Sequence, residues 1–137
     1  MTCVTSVKFL VRFNVQLLEP FYPSCGLRQG DPLSPYLFLF VAEALSLLLK
    51  DACDKGVLKD FHLNRHAPGI SHLLFADDSL LFFKGSIDQA LVIKNILSGY
   101  EVGTCQLLSR DECSIKFGKK CSMEDQVATM VILNITA

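Results

Sequence analysis

From Val7 to Phe13 apolar residues hold alternate positions, Val7, Phe9, Val11 and Phe13, with Lys8 and Arg12 between them. A period of two is that of a half-buried strand, so a strand is predicted there. Three prolines and two glycines then fall between Glu19 and Pro32, which predicts a long loop over Pro20 to Asp31. Beyond it Leu37, Phe38, Val41, Ala44, Leu45, Leu48 and Leu49 recur at helical spacing, while Glu43, Ser46 and Lys50 fall largely outside that stripe. Ser34 is the expected N-cap and Pro35 the first helical residue, where a missing N–H costs nothing. The helix should end near Asp54 to Gly56.

Two apolar runs, Leu73-Leu74-Phe75 and Leu80-Leu81-Phe82-Phe83, flank Ala76-Asp77-Asp78-Ser79. This predicts a hairpin with acidic residues at its turn. Ser86 with Gln89 three residues later has the pattern of a capping box, opening a second helix through Ile87, Ala90, Leu91, Ile93, Lys94 and Leu97 toward Gly99. Ile115 to Phe117 is a candidate for one more short strand. The order strand, helix, hairpin, helix, strand points to the α+β class. The expected layout is a strand and loop over 1–32, a helix over 33–55, the acidic hairpin over 69–84, a helix over 86–99 and a final segment over 100–137.

The chain has 137 residues, room for one domain or a piece of one. Half of them are hydrophobic and 20% are charged, which argues for a buried core and against disorder. The formal net charge of -1 gives no global field for a polyanion, so composition alone does not suggest nucleic acid. The six cysteines contain no C-x-x-C pair, and a zinc site from Cys105, Cys113 and Cys121 matches no familiar ligand spacing. The N-terminus lacks the build of a secretory signal, so reduced, intracellular thiols are the default. Leu33 to Leu49 nears the length of a membrane span but holds Pro35, Ser34, Tyr36, Glu43 and Ser46 in or beside it, and is read as a core helix rather than a membrane segment.

Candidate chemistry centres on Asp77 and Asp78. Adjacent carboxylates repel unless a positive charge sits beside them, and a divalent cation is a natural partner. Hard Mg²⁺ prefers carboxylate, phosphate and water oxygens, the ligand set of a nucleotidyl-transfer site with two metals about 3.5 to 4 Å apart. By itself an Asp-Asp pair is a common exposed turn. His62, His66 and His72 have no relay or ligand spacing and receive no role. Lys119-Lys120 reads as a solvated basic pair or a contact to nucleic-acid backbone.

Phe75-Ala76-Asp77-Asp78 resembles the aromatic-x-Asp-Asp element of reverse transcriptases, and the run Ile70 to Phe82 resembles plant non-LTR (LINE-type) retrotransposon sequence. Upstream, the block Gly26-Leu27-Arg28-Gln29-Gly30-Asp31-Pro32-Leu33-Ser34-Pro35-Tyr36-Leu37-Phe38 is similar to a second diagnostic block of the same family, at the expected distance. The resemblance implies a partial polymerase palm and fingers, with an Asp-Asp β-hairpin packed against helices. It implies an RNA-directed DNA polymerase, a nucleotidyltransferase taking an RNA template, a DNA primer and dNTP. Asp77 and Asp78 would be catalytic ligands of Mg²⁺ (or Mn²⁺), and Arg28, Gln29, Gly30 and Phe75 would contact nucleotide or template. Gln29 and Gly30 lie at a loop-to-helix junction that lets backbone approach a nucleotide, and Arg28 has the charge to neutralise phosphate. Phe75 also suits core or primer-facing packing.

Tyr100 to Phe117 follows the family more loosely. Cys105 stands where the family usually has glycine, Ser109 where it has asparagine, and Glu112 where it has a lysine, a candidate proton donor to pyrophosphate. The family also places an aspartate tens of residues before the Gly26 block, and no aspartate occurs in residues 1–25. The expectation is therefore a fragment, inactive alone, with a non-catalytic retroelement remnant that binds nucleic acid or a protein as the alternative. Nucleus or cytoplasm is the compartment implied.

Overall fold

Of the predicted strand over Val7 to Phe13, Val7 lies outside the described residues, and the rest forms a two-residue strand and a single bridge at Phe9. In the computed structural model, which describes residues 8–23 and 30–135, β1 (Arg12–Phe13) pairs antiparallel with β2 (Gln16–Leu17). Asn14 and Val15 close the turn at φ 45° and 69°, the left-handed pair that matches strand twist in two-residue hairpins. Phe9 and Phe21 exchange backbone hydrogen bonds of 3.0 and 3.1 Å, and their rings stack with centroids 5.5 Å apart. Almost every side chain of this hairpin is exposed, Val15 to 80%. Among the described residues this hairpin has no buried face and no third strand, so the alternating pattern has little to pair with and the ladder stays short.

This hairpin belongs to the first of two units, Met1–Leu39; the second is Phe40–Ala137. Helix α1 (Ser34–Asp54) starts in the first and continues into the second. Its start differs by one residue from expectation. Ser34 is already helical, Leu37 N–H bonds the Leu33 carbonyl at 3.0 Å, and the Asp31 carboxylate accepts from the Leu33 N–H at 2.8 Å. Pro35 is thus second in the helix, still inside the first turn, where N–H groups lack intrahelical partners. At the other end Gly56 N–H bonds Cys53 O at 2.8 Å and Val57 N–H bonds Ala52 O at 2.9 Å. Together with Gly56 at φ 69° these bonds form a Schellman stop.

In the second unit α1 buries Leu45 and Leu49 against Leu58, and against helices α2 (Ile87–Thr104) and α3 (Met123–Leu133) through Ile93, Leu97, Tyr100 and Leu133. Leu49, Leu58 and Ile93 are at most 1% exposed, each contributing roughly 1.5 to 3 kcal/mol by burial. The antiparallel hairpin of β3 (His72–Phe75) and β4 (Asp78–Leu81) lays Leu74 and Leu81 on this core. The result is helices with small antiparallel sheets, an α+β arrangement.

Three expectations are corrected here. Ser86 precedes α2 without a side-chain cap bond. Gln89, the expected capping partner, is buried instead, accepting from Lys59 N–H and donating to the Val57 carbonyl, both at 2.8 Å. Its amide satisfies backbone that the loop after α1 would otherwise bury unpaired, a larger demand than an exposed helix end. Second, α2 runs past Gly99 to Thr104, ending on Cys105 at φ 57°. Third, Ile115 to Phe117 forms no strand; Ile115 packs on the core, but no strand lies alongside to pair. The final helix α3 was not foreseen, although Ser122 caps it by accepting the Asp125 N–H at 3.1 Å, a Ser-x-x-Asp signal in the sequence.

Candidate functional site

Register decides what surrounds the paired acids. Phe75 lies directly opposite Asp78, and only Ala76 and Asp77 separate them. Because side chains alternate across a strand, Leu73, Phe75, Asp78 and Leu80 share the outer face, while His72, Leu74, Ser79 and Leu81 share the inner one. The structure therefore brings Phe75, Asp77 and Asp78 together at one exposed tip, with Phe75 itself 81% exposed. The turn that does so holds Ala76 at φ 52°. A non-glycine residue there carries roughly 1 to 2 kcal/mol of steric cost, which the anchored strands on either side must impose.

The anchoring comes from the other face. His72 Nε2 shares a 2.9 Å hydrogen bond with Ser46 Oγ of α1, and His72 Nδ1 a 2.8 Å bond with Ser71 Oγ. Ser46 is only 5% exposed. Burial pushes the His72 pKa below its ordinary value, Lys50 lowers it further and Glu43 opposes the shift. Glu43, Ser46 and Lys50 form one stripe of α1, so the polar positions outside its apolar face receive the hairpin rather than only water. The same array reaches Cys53, whose thiol is pushed up first by burial and then by Asp60 and Asp54, with hydrogen bonding to Ser71 acting against the rise. No spacing in the sequence joins residues 26 apart, so His72 had no visible partner there.

Asp77 and Asp78 make no ion pair among the described residues. As hard oxygen donors side by side they suit part of a divalent-cation shell. They do not complete one: among the described residues no three His, Cys, Asp or Glu side chains gather as ligands. That also applies to Cys105, Cys113 and Cys121 as a zinc trio. Residues 1–7, 24–29 and 136–137 contain no Asp or Glu.

The other expected contacts are distributed differently. Arg28 and Gln29 lie outside the described residues. Gly30 is exposed in the first unit at φ 79°, with open space where a Cβ would be, so its backbone conformation rather than crowding requires glycine. Glu112 is exposed in a turn closed by its own N–H on the Ser109 carbonyl at 3.0 Å. Cys105 occupies the left-handed residue that ends α2, which supplies a physical reason for a glycine at the equivalent place. Among the described residues no helix is long and apolar enough to cross a membrane.

Comparison with known proteins bears on the same segment. The chain is 54% identical over 57 residues to an uncharacterized mitochondrial protein of Arabidopsis thaliana, a stretch covering 42% of this chain and 47% of that protein. The match thus spans about half the length of that relative. No solved structure matches. The sequence family described as reverse transcriptase (RNA-dependent DNA polymerase) matches residues 1–103, which take in α1, the β3–β4 hairpin with Asp77 and Asp78, and all but the last residue of α2. With three quarters of its length covered by that match, the chain belongs to the reverse transcriptase family.

Proposed function

We propose that this chain is part of an RNA-directed DNA polymerase of a non-LTR, LINE-type retrotransposon, contributing palm and part of the fingers across 1–137. One observation carries the reading: within the family-matched segment, a two-residue turn sets two unpaired carboxylates beside an exposed aromatic. In this reading Asp77 and Asp78 are catalytic ligands of Mg²⁺ or Mn²⁺, the cation class that reverse transcriptases generally use. Arg28, Gln29, Gly30 and Phe75 contact nucleotide and template. Asp77 and Asp78 would hold the cations, whose chemistry would be to favour the deprotonated primer 3′-hydroxyl and to stabilise the negative charge of the pyrophosphate leaving group. The chain's own part is to hold two acids at a rigid tip and to present Phe75 to the primer–template end.

The third carboxylate comes from sequence outside this chain, so the chain alone does not extend primers. A second reading, a non-catalytic retroelement remnant, draws on the lack of a third clustered ligand among the described residues. Primer extension on an RNA template with Mg²⁺ or Mn²⁺ separates the two. The chain alone should give no product. Joined to an in-frame upstream segment carrying a palm-strand aspartate it should extend, and Asp77→Ala with Asp78→Ala should then cut the rate by at least about 100-fold. Extension by the chain alone, lost in that double variant, would overturn the predicted inactivity. Extension by the joined protein that ignores the double variant would sink the site assignment.

A further inference from the structure

The residues just beyond the hairpin gather positive charge. Gly85 follows β4 and is held against the last third of the chain so closely that a Cβ there would sit 2.7 Å from the Cys121 Sγ and 4.0 Å from the Phe117 ring. The Cys121 thiol donates a long 3.8 Å bond to the Gly85 carbonyl. That approach sets Lys84 beside the segment carrying Lys116, Lys119 and Lys120. Cys121 N–H bonds the Gly118 carbonyl at 3.0 Å, so Lys119 and Lys120 occupy a tight turn. All four lysines are exposed and, among the described residues, none is in an ion pair. The neighbouring acids Asp88, Glu124 and Asp125 lie in the first turns of α2 and α3, where the helix N-termini offset their charge. In a chain of net charge -1, four lysines at one place are a local concentration and not part of a generally basic surface.

We propose that Lys84, Lys116, Lys119 and Lys120 form a phosphate-binding patch for the backbone of the primer–template duplex, behind the end held at Asp77 and Asp78. The proposal rests on the polymerase reading and adds to it the surface that grips the nucleic acid. Reach supports it. Lys84 is six residues beyond Asp78, at most about 20 Å along extended chain, and a duplex advances about 3.4 Å per base pair. Lys84, the near edge of the patch, therefore lies within roughly six base pairs of Asp78. Lysine suits this role as a mobile point charge that reads phosphate without reading sequence. A lipid surface is the competing occupant, since Ile87 and Met123 flank the patch at 49% and 74% exposure, and the vesicle arm of the test separates the two.

The test is fluorescence anisotropy of the full chain with a labelled RNA–DNA primer–template, titrated across salt. Changing all four lysines to alanine should weaken binding at least about tenfold near physiological salt and flatten the log-log salt slope by about 3, close to 1 per lost phosphate contact. Lys119→Ala with Lys120→Ala should give about half that slope change, while Arg65→Ala with Lys94→Ala, equal in charge, should give much less. Circular dichroism confirms that the exposed substitutions leave the fold intact. An unchanged slope in the fourfold variant, no binding by the unaltered chain, or binding to anionic vesicles but not to primer–template would each overturn the patch. Primer extension by the upstream-joined protein, with and without Asp77→Ala and Asp78→Ala, reports on the carboxylates separately. A slope change alongside extension that ignores the double variant would keep the patch and discard the catalytic reading.

Discussion

The described residues hold two hairpins with two-residue turns, β1–β2 and β3–β4, and different physics holds each together. β1–β2 has ideal turn chemistry in sign, with Asn14 and Val15 both at positive φ, yet only two residues per strand and side chains that face solvent. β3–β4 has four residues per strand and one positive-φ residue, Ala76, but it lays Leu74 and Leu81 on the core and bonds His72 to Ser46. A turn closes a hairpin locally; a buried face makes it persist. The paired carboxylates stand on the hairpin that has the buried face.

The largest effect that sharpens this contrast is in the core under the second hairpin. Leu49→Ala, at a position with no exposure, should lower unfolding free energy by about 2 to 5 kcal/mol in urea titrations. Leu17→Ala in the first hairpin, 68% exposed, should stay within about 0.5 kcal/mol. Comparable losses at the two sites would mean that the first hairpin has a buried face after all.

A smaller effect separates the turns. Ala76→Gly removes left-handed strain but adds unfolded-chain entropy, for a net gain of about 0.5 to 1 kcal/mol visible as a higher melting temperature. Val15→Gly, at φ 69°, relieves a β-branched residue of the same strain. It should leave the global melt unmoved, because β1–β2 opens before the rest. If Ala76→Gly lowers the melting temperature, the turn is not strained as described.

The smallest effect is set by pH. The folded His72 pKa lies below its unfolded value, which is about 6.5. The folded state then binds the proton less readily, so this contribution is complete above the unfolded value. It is lost as pH falls through the lower folded value. Protection of the β3–β4 amides, taken relative to the intrinsic exchange rate at each pH, should fall across that acid range in the native chain, and His72→Gln should flatten the dependence. Equal pH profiles in both would place the proton elsewhere.

Much of the second unit was legible because its elements answer to local rules. Helix α1 has an apolar stripe long enough to identify and a Gly56 stop, and the hairpin shows as two apolar runs around a short polar turn. Val7 to Phe13 misled because alternation shows what a strand would bury, not whether a surface exists to bury it. Ile115 to Phe117 misled for a related reason: a strand needs a neighbour, and the neighbouring elements there are helices. Gln89 looked like a cap and serves the backbone after α1, and the Cys105 site shows its need for glycine only as a backbone angle. Ser122 and Asp125 did signal α3, but against no clear apolar period.

The sequence by itself determined the family, the paired acids and the two main helices, because motif identity, charge adjacency and helical period are properties of neighbouring residues. Only tertiary structure decided that Asp78 shares a face with Phe75, that His72 reaches Ser46, and that Gly85, next to Lys84, packs on the segment of Phe117 and Cys121. Each depends on register or on contact between segments tens of residues apart, and no local pattern encodes the closing of such distances.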